Sequence, residues 1–511
     1  MTSTFRFRKF SLLTGTLMGA TMLTSPVFAE GVIDVAIIGE PPTLDPMMST
    51  ADVVSIVTQH FFETLYTFDE NWAVVPLLAQ DMPEISEDGL TYRIPLREGI
   101  TFHDGSTMDS ADVVASLQRW LKVSTRGKGV AEQVAGIETD GANTVVITLT
   151  ESYSPLLSLL AFSNAAAMIV PEEVLGEELS AIVGTGPYKL EEHLPDQYIQ
   201  VTRFDDYVSR EEPSSGGSGK REQILDEIRF VPVPDAATRV EGVLSGQFQF
   251  ADGLPTEAYD RIESTDGVEP MLLAPFGWPI FAFNLKEGLM ADQNVRSAVQ
   301  AALAPEDMLY AAFGDEKFFV TDAALFPESF QWHNEEGAEL YNQADAAKSQ
   351  ELLSKAGYDG SPLRILTSHQ YEFHYKMAEV AKVYLEAGGF TVELDVVDWA
   401  TLTQQRDNPA AWDIYITHSP FLPEPALTSM YSPTSRLGWA NEEKDAVLKE
   451  FTSETDPEKR LELFAELQKL VYEQAPFYKV GGFNTLLAKS TALDGVTETP
   501  WPYFWNASLS E

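Results

Sequence analysis

From Val32 the chain alternates between apolar and polar positions, Val32-Ile33-Asp34-Val35-Ala36-Ile37-Ile38, and then breaks at Gly39-Glu40-Pro41-Pro42. Period-two alternation closed by glycine and proline predicts a buried strand and a turn. A helical spacing follows, with Asp52 near its start and Val53, Ile56, Val57, His60, Phe61 and Leu65 on one face. Thr91 to Leu96 alternates again, Phe102-His103-Asp104-Gly105 turns, and Asp109 or Ser110 caps a helix through Val113, Val114, Leu117 and Trp120. The same exchange of periods runs to the C-terminus, with helices over about 294–303, 345–355, 375–387 and 457–472 and strands over 363–366, 391–397 and 414–416. In the last helix Asp456 is the N-cap, Pro457 takes the first turn, and Leu461, Phe464, Leu467, Leu470 and Val471 form the core face. Alternating strand and helix signals predict mixed α/β domains.

Two stretches depart from this rhythm. Ser209 to Arg221 (SREEPSSGGSGKR) has almost no apolar content and reads as an exposed loop between a strand ending near Asp206 and one at Ile228 to Val233. Pro275 to Asn284 (PFGWPIFAFN) reads as a turn entering a strand that joins two lobes. No internal repeat and no coiled-coil heptad is present.

A chain of 511 residues, 44% hydrophobic, is too long for one compact domain, so two or three are expected. Residues 1–29 read as an export signal: Arg6, Arg8 and Lys9 form a basic start, Leu12 to Leu23 an apolar core, and Val27-Phe28-Ala29 a small-residue cleavage site. The apolar run is broken by Thr and Gly and falls short of the roughly 18 to 20 residues of a spanning helix. The mature chain is therefore expected to begin at Glu30, in the periplasm, with no direct membrane insertion after cleavage. No cysteine occurs, which excludes a lipid-anchored N-terminal Cys, disulfides, thiolate metal sites and Cys nucleophiles. Without its signal the chain carries 31 basic and 78 acidic side chains, a net charge of −47. Such a body repels nucleic acid and anionic lipid. Acidic surface charge also serves solubility alone, so charge does not name a ligand.

The chain carries no complete catalytic motif. Gly219-Lys220 is followed by Arg221 and preceded by Ser214 where a phosphate loop needs glycine; Lys220 likewise replaces the second glycine of a nucleophile elbow. His369, Glu372 and His374 lack the HExxH spacing and a third nearby ligand, and read as a polar loop running into the helix at Tyr375 rather than as a metal site. Among 78 carboxylates no pair is marked as glycosidase acid and nucleophile. The positive signal is aromatic: Trp278, Phe281, Trp399, Trp412, Phe421 and Trp439 lie near turns or strand ends, where core packing competes with ligand stacking.

The segment Pro76-Leu77-Leu78-Ala79-Gln80 through Asp88-Gly89-Leu90-Thr91-Tyr92-Arg93-Ile94-Pro95-Leu96-Arg97-Glu98-Gly99 to Phe102-His103-Asp104-Gly105 resembles the signature of family 5 extracytoplasmic solute-binding proteins. These are the binding components of peptide, nickel and related ABC importers. Matches in the same order are Thr43-Leu44-Asp45-Pro46, Phe62-Glu63-Thr64-Leu65, Gly184 to Tyr188, Val295-Arg296, Ala356-Gly357-Tyr358, Asp398-Trp399 and Trp505-Asn506. The resemblance implies an α/β, two-lobed periplasmic-binding-protein (flytrap) fold with an additional third domain. Lobe I would comprise 30–66, 183–275 and 483–511, the extra domain 67–182, and the other lobe 276–482, with crossings at 275–284 and 479–483.

It also implies where the ligand lies: Asp52 and Val53 after the Leu-Asp-Pro motif, Phe250 and Asp252 in a following loop, and Trp278 and Phe281 on the crossing strand. To these it adds His374, Trp399, and the stretch ITHSPFLPEPA, which contributes Thr417, His418, Ser419, Phe421 and Glu424. In peptide binders an Asp before the Glu/Asp-Pro pair holds the ligand's α-amine; here Phe421 or Leu422 stands there, and Glu424, Asp52 or Asp252 are the acids left to do so. In nickel-binding relatives a His follows that pair, where this chain has Ala426.

The expected function is capture of a small organic solute between closing lobes for delivery to inner-membrane ABC permease subunits. A short peptide or amino-acid derivative leads, with an oligosaccharide or opine-like solute as the alternative. No catalysis, no cofactor, no metal and a monomer are expected. A secreted hydrolase using Glu424 and His418 is the rival, against which stands the lack of any motif that converges two groups on a reacting atom.

Overall fold

The computed structural model describes residues 31–369, 371–433 and 435–510, leaving aside the side chain of Ala400. The export signal lies outside the described residues. The predicted elements form with small shifts: helices at Asp52–Thr58, Ser110–Val123, Gln293–Ala302, Ala346–Ala356, Glu372–Ala387 and Pro457–Gln474. Their caps follow from sequence. The Asp109 side chain accepts from the backbone N–H of Ala111 and Asp112, while Asp112 Oδ2 accepts from Asp109 N–H, a reciprocal box that satisfies orphan donors. Asp456 accepts from Glu458 and Lys459 N–H. The helix from Asp52 stops at Thr58 rather than running to Leu65, because the chain turns to pair Thr64 with Met168.

One twelve-stranded sheet runs through the molecule. Its path is Val392–Val397, Leu363–Ser368, Ile414–Pro420, Val268–Phe283, Gly482–Ser490, Phe250–Leu254, Val32–Ile37, Glu227–Pro232, Tyr198–Arg203 and Tyr188–Leu194, with Phe319–Val320 paired to Gly482–Ser490 and Phe477–Lys479 to Val268–Phe283 off that path. Two strands sew its halves together. The sixteen-residue strand Val268–Phe283 pairs with Gly482–Ser490 over its first part and with Ile414–Pro420 over its last, the register shifting between Leu273 and Gly277. The turn expected at Pro275 is thus a bulge inside one crossing strand. Separate hydrophobic clusters fill each lobe, one around Phe281, Ile365 and Met377, another around Trp278, Trp412 and Phe464, a third joining Val35, Phe61 and Phe230. A four-stranded antiparallel sheet, Glu84–Ile85, Thr91–Pro95, Thr144–Leu149 and Val134–Thr139, carries Ser110–Val123 and makes the additional domain.

Residues 209–221 are not a free loop. Arg221 lies buried and pairs with Glu63 at 2.8 Å, while Arg210 donates to the carbonyls of Leu77, Ala79 and Gln80. Glu63 also accepts from Tyr207 and Thr185 hydroxyls, each at 2.8 Å. Glu211 to Ser214 and Lys220 are exposed as expected, while Arg210 and Arg221 turn inward, Arg221 into an ion pair with Glu63.

Candidate functional site

The lobes meet face to face. From the additional domain, Ser154 N–H donates to Thr452 O at 2.8 Å and Ser152 Oγ to Ser453 O at 3.0 Å, both at the C-terminal end of helix Glu442–Ser453. These carbonyls are among the unsatisfied acceptors that every helix end presents. On the other side Lys376 pairs with Glu257 at 3.1 Å and Lys317 with Asp260 at 3.3 Å. Between these contacts lies the cleft.

The first lobe contributes two carboxylates. Asp52 opens the helix Asp52–Thr58, accepting from Trp501 Nε1 at 2.7 Å and Asn164 Nδ2 at 3.4 Å. Burial pushes its carboxyl above the usual range, opposed by those hydrogen bonds and by Arg126. Asp252 stands on the strand Phe250–Leu254 beside Gly253, whose φ of 60° is left-handed and where a Cβ would meet Ile38 at 2.8 Å. Arg239 fixes this bend by donating to the carbonyls of Asp252, Gly253, Val233 and Pro234. The Asp252 carboxyl is raised to about 6, chiefly by burial, with Arg239 lowering it and Asp52 raising it.

The second lobe faces these acids with neutral rings. Tyr371 lies close enough that burial and the charges of Asp52 and Asp252 together push its hydroxyl up to about 12. Around it stand Trp399 at 4.8 Å, His418 at 4.7 Å and His374 at 5.2 Å between ring centroids. His374 Nε2 and His418 Nδ1 are 3.1 Å apart. Burial lowers His418 to about 4, and burial together with the charge of His418 lowers His374 well below its ordinary value, so both are uncharged at neutral pH. The wall opposite the acids therefore brings no compensating charge. Arg126 is the cation beside Asp52, with which it shares Asn164: it donates to Asn164 O at 3.0 Å and across the lobes to Leu427 O at 3.1 Å, and covers Phe162 at 4.5 Å.

Of the residues expected from sequence, His374, Trp399 and His418 come together around Tyr371, and Asp52 and Asp252 lie within electrostatic reach of it. Thr417 and Ser419 flank His418 half-buried, Ser419 Oγ donating to Pro420 O at 2.9 Å. The others are placed elsewhere. Val53 and Phe250 belong to the first lobe's core, Phe281 and Trp278 to opposite faces of the crossing strand, and Phe421 packs with Phe326 and Phe330. Glu424 is engaged within its own lobe: its Oε1 pairs with Arg460 at 2.8 Å and accepts from Ala426 N–H. Arg460 in turn lies over Trp332 and Phe451, so the pair is part of the packing.

Tyr371, Arg126, Asn164 and Trp501 were not anticipated. Tyr371 sits just before the first turn of the helix Glu372–Ala387, a position that aims a side chain off the element's end, and its spacing from His374 was the available signal. Trp399→Ala is expected to weaken solute binding about tenfold through loss of stacking, with little change in melting temperature because the ring is only half-buried. Titration calorimetry paired with thermal unfolding checks both.

Among the described residues no three His, Cys, Asp or Glu side chains converge as metal ligands, and no helix is long and apolar enough to cross a membrane.

The model for bacterial extracellular solute-binding proteins, family 5, matches residues 73–440. A probable peptide ABC transporter periplasmic-binding protein of Sinorhizobium fredii is 26% identical over 485 residues, covering 90% of each chain. The glutathione-binding protein GsiB of Escherichia coli is 25% identical over 501 residues, covering 94% of each. Among solved structures, AgaA of A. tumefaciens R10 in complex with agropinic acid aligns with a TM-score of 0.81 at 23% identity, over 94% of this chain and 99% of that one. DppA of Helicobacter pylori in complex with the peptide STSA gives 0.81 at 20% identity, over 94% and 98%. With the family model spanning most of the chain and the two-lobed fold shared throughout, the chain belongs to family 5 of the bacterial extracellular solute-binding proteins.

Proposed function

We propose that the protein captures a short peptide or amino-acid derivative in the periplasm and hands it to the permease subunits of an ABC importer. The observation that carries this reading is that Asp52 and Asp252 on the first lobe lie within electrostatic reach of each other and of Tyr371 on the facing lobe. Two carboxylates facing an uncharged aromatic wall favour a cationic group, and a free amine suits them better than a neutral sugar does. Charge-assisted hydrogen bonds of this kind are about twice as strong as neutral ones. Arg126, beside Asp52, is the cation that a ligand carboxylate would meet. Relatives described as peptide- and glutathione-binding support the ligand class.

The protein acts as a monomer, by capture and release without turnover, and needs no cofactor. Residues 1–29 direct export and are removed. The domain boundaries follow the crossings, with 30–66, 183–275 and 483–511 as one lobe, 67–182 as the additional domain and 276–482 as the other lobe.

Solute-driven closure is tested by small-angle scattering of protein freed of ligand by unfolding and refolding. Adding a binding peptide contracts the particle toward the closed form held by Ser152, Ser154, Lys376 and Lys317. An unchanged profile at saturation contradicts the closure.

A further inference from the structure

Beside the cleft lies a second cavity with about 170 Å³ of free space, lined by Phe162 and Trp501 but by neither Arg126 nor Asp52. Four rings on its walls form a closed circuit. Phe68 to Trp72 is 5.9 Å, Trp72 to Trp501 6.4 Å at 87°, Trp501 to Phe162 5.1 Å at 87°, and Phe162 to Phe68 6.4 Å at 76°. Neighbouring rings in this circuit meet edge to face or steeply tilted, the arrangement of a box rather than a stack, and a box presents electron-rich ring surface to what it encloses.

The charges lining the cavity have one sign to spare; Arg126 lies against Phe162 but does not line it. Asp69, Glu70 and Glu498 stand at the cavity, and among the described residues Arg221 is its only lining cation. Arg221 is already paired with the buried Glu63 and covered by Trp505 at 4.1 Å. An anion would meet repulsion here and a neutral apolar group would strip water from carboxylates without return.

Trp72 forms one wall of the cavity. It occupies the turn between Tyr66–Phe68 and Val74–Pro76 with φ at 61°, a left-handed backbone that glycine or asparagine adopts at lower cost. Strain of this kind persists where a particular side chain is needed at a particular place. The ring is held at the cavity, with Phe330 of the other lobe stacked on it at 6.3 Å and 24°.

We propose that this cavity is a second binding site, separate from the interlobe cleft, for a small organic cation of the alkylammonium class. The free space is well below the roughly 300–1,000 Å³ of pockets that take drug-sized ligands, so a compact head group fits and a peptide does not. The rings hold the cation by its charge, and Asp69, Glu70 and Glu498 draw it in.

Choline and its neutral isostere 3,3-dimethyl-1-butanol, each titrated into the purified protein and followed by ligand-observed NMR, test the assignment. Choline binds, and the alcohol binds about tenfold more weakly or not at all. Trp72→Gly, which suits the left-handed backbone and removes one wall, abolishes choline binding; Glu70→Gln with Glu498→Gln, both on the surface, weakens it most at low salt. The double charge variant keeps the test decisive should Trp72→Gly fail to fold. Equal binding of both compounds, no binding of choline, or choline binding unaffected by both sets of substitutions would overturn the proposal. Choline binding that survives Trp72→Gly but is lost in Asp252→Asn would also overturn it, since the cation would then sit in the cleft.

Discussion

Asp252→Asn is expected to give a more stable protein that binds its solute more weakly. The carboxyl of Asp252 is raised from 3.8 to about 6 in the folded chain, chiefly by burial. Below its unfolded value both states are protonated there and the folded state carries no penalty. As pH rises toward 6 the unfolded chain ionises first, and the folded state loses stability until its own carboxyl ionises. At pH 7 the penalty reaches up to about 3 kcal/mol, from roughly two pKa units at 1.36 kcal/mol each. Asparagine removes the charge, so the variant melts higher than wild type at pH 7 and the difference shrinks toward pH 4. Thermal unfolding of the unliganded protein across this range measures it. A cationic solute recovers that penalty on binding, so the same substitution costs about ten- to a hundredfold in affinity, the worth of one hydrogen bond to a charged group. Higher melting with unchanged affinity would place the ligand elsewhere.

Glu424→Ala should do the opposite, lowering stability by about 3–5 kcal/mol, because it strands a buried guanidinium. Glu424 and Arg460 are 5% and 13% exposed and 2.8 Å apart, and Arg460 lies between Trp332 and Phe451 where water does not replace the lost carboxylate. The capping bond to Ala426 N–H is lost with it. The affinity of the folded fraction is expected to stay as in wild type. Denaturant unfolding and calorimetry separate the two quantities; a stable Glu424→Ala protein that no longer binds would restore Glu424 to the ligand site.

These two carboxylates show where sequence reading reaches and where it stops. Local periodicity and caps were legible, since the spacing of Leu461, Phe464, Leu467 and Leu470 and the Asp456-Pro457 start are properties of neighbouring residues. The family motif carried the two-lobed fold. What local pattern does not contain is the partner 36 residues away that claims Glu424, or the 158-residue separation that makes Arg221 an internal counter-ion of Glu63 rather than a loop charge. Aromatics failed for the same reason. Trp278, Phe281 and Phe421 look like cleft walls until helices cover both faces of the crossing strand, and alternation along one strand cannot say how many of its faces are covered. Asp52 and Asp252 were reached through the resemblance, and Tyr371 came to light only when the lobes met.

The stretch ITHSPFLPEPA divides accordingly. His418 reaches the cleft, Phe421 and Glu424 hold the lobe together, and Trp332 Nε1 donates to Pro423 O at 3.0 Å, so its prolines shape a wall rather than an exposed ligand for a partner.

The central claim, that an amine-bearing peptide-like solute is held by Asp52 and Asp252, is tested most directly by calorimetric titration of ligand-free protein with two pools of short peptides. The pools share their sequences and differ only in having free or acetylated amino termini. The free-amine pool binds and the acetylated pool does not; equal binding of both pools, or binding of neither, would contradict the account.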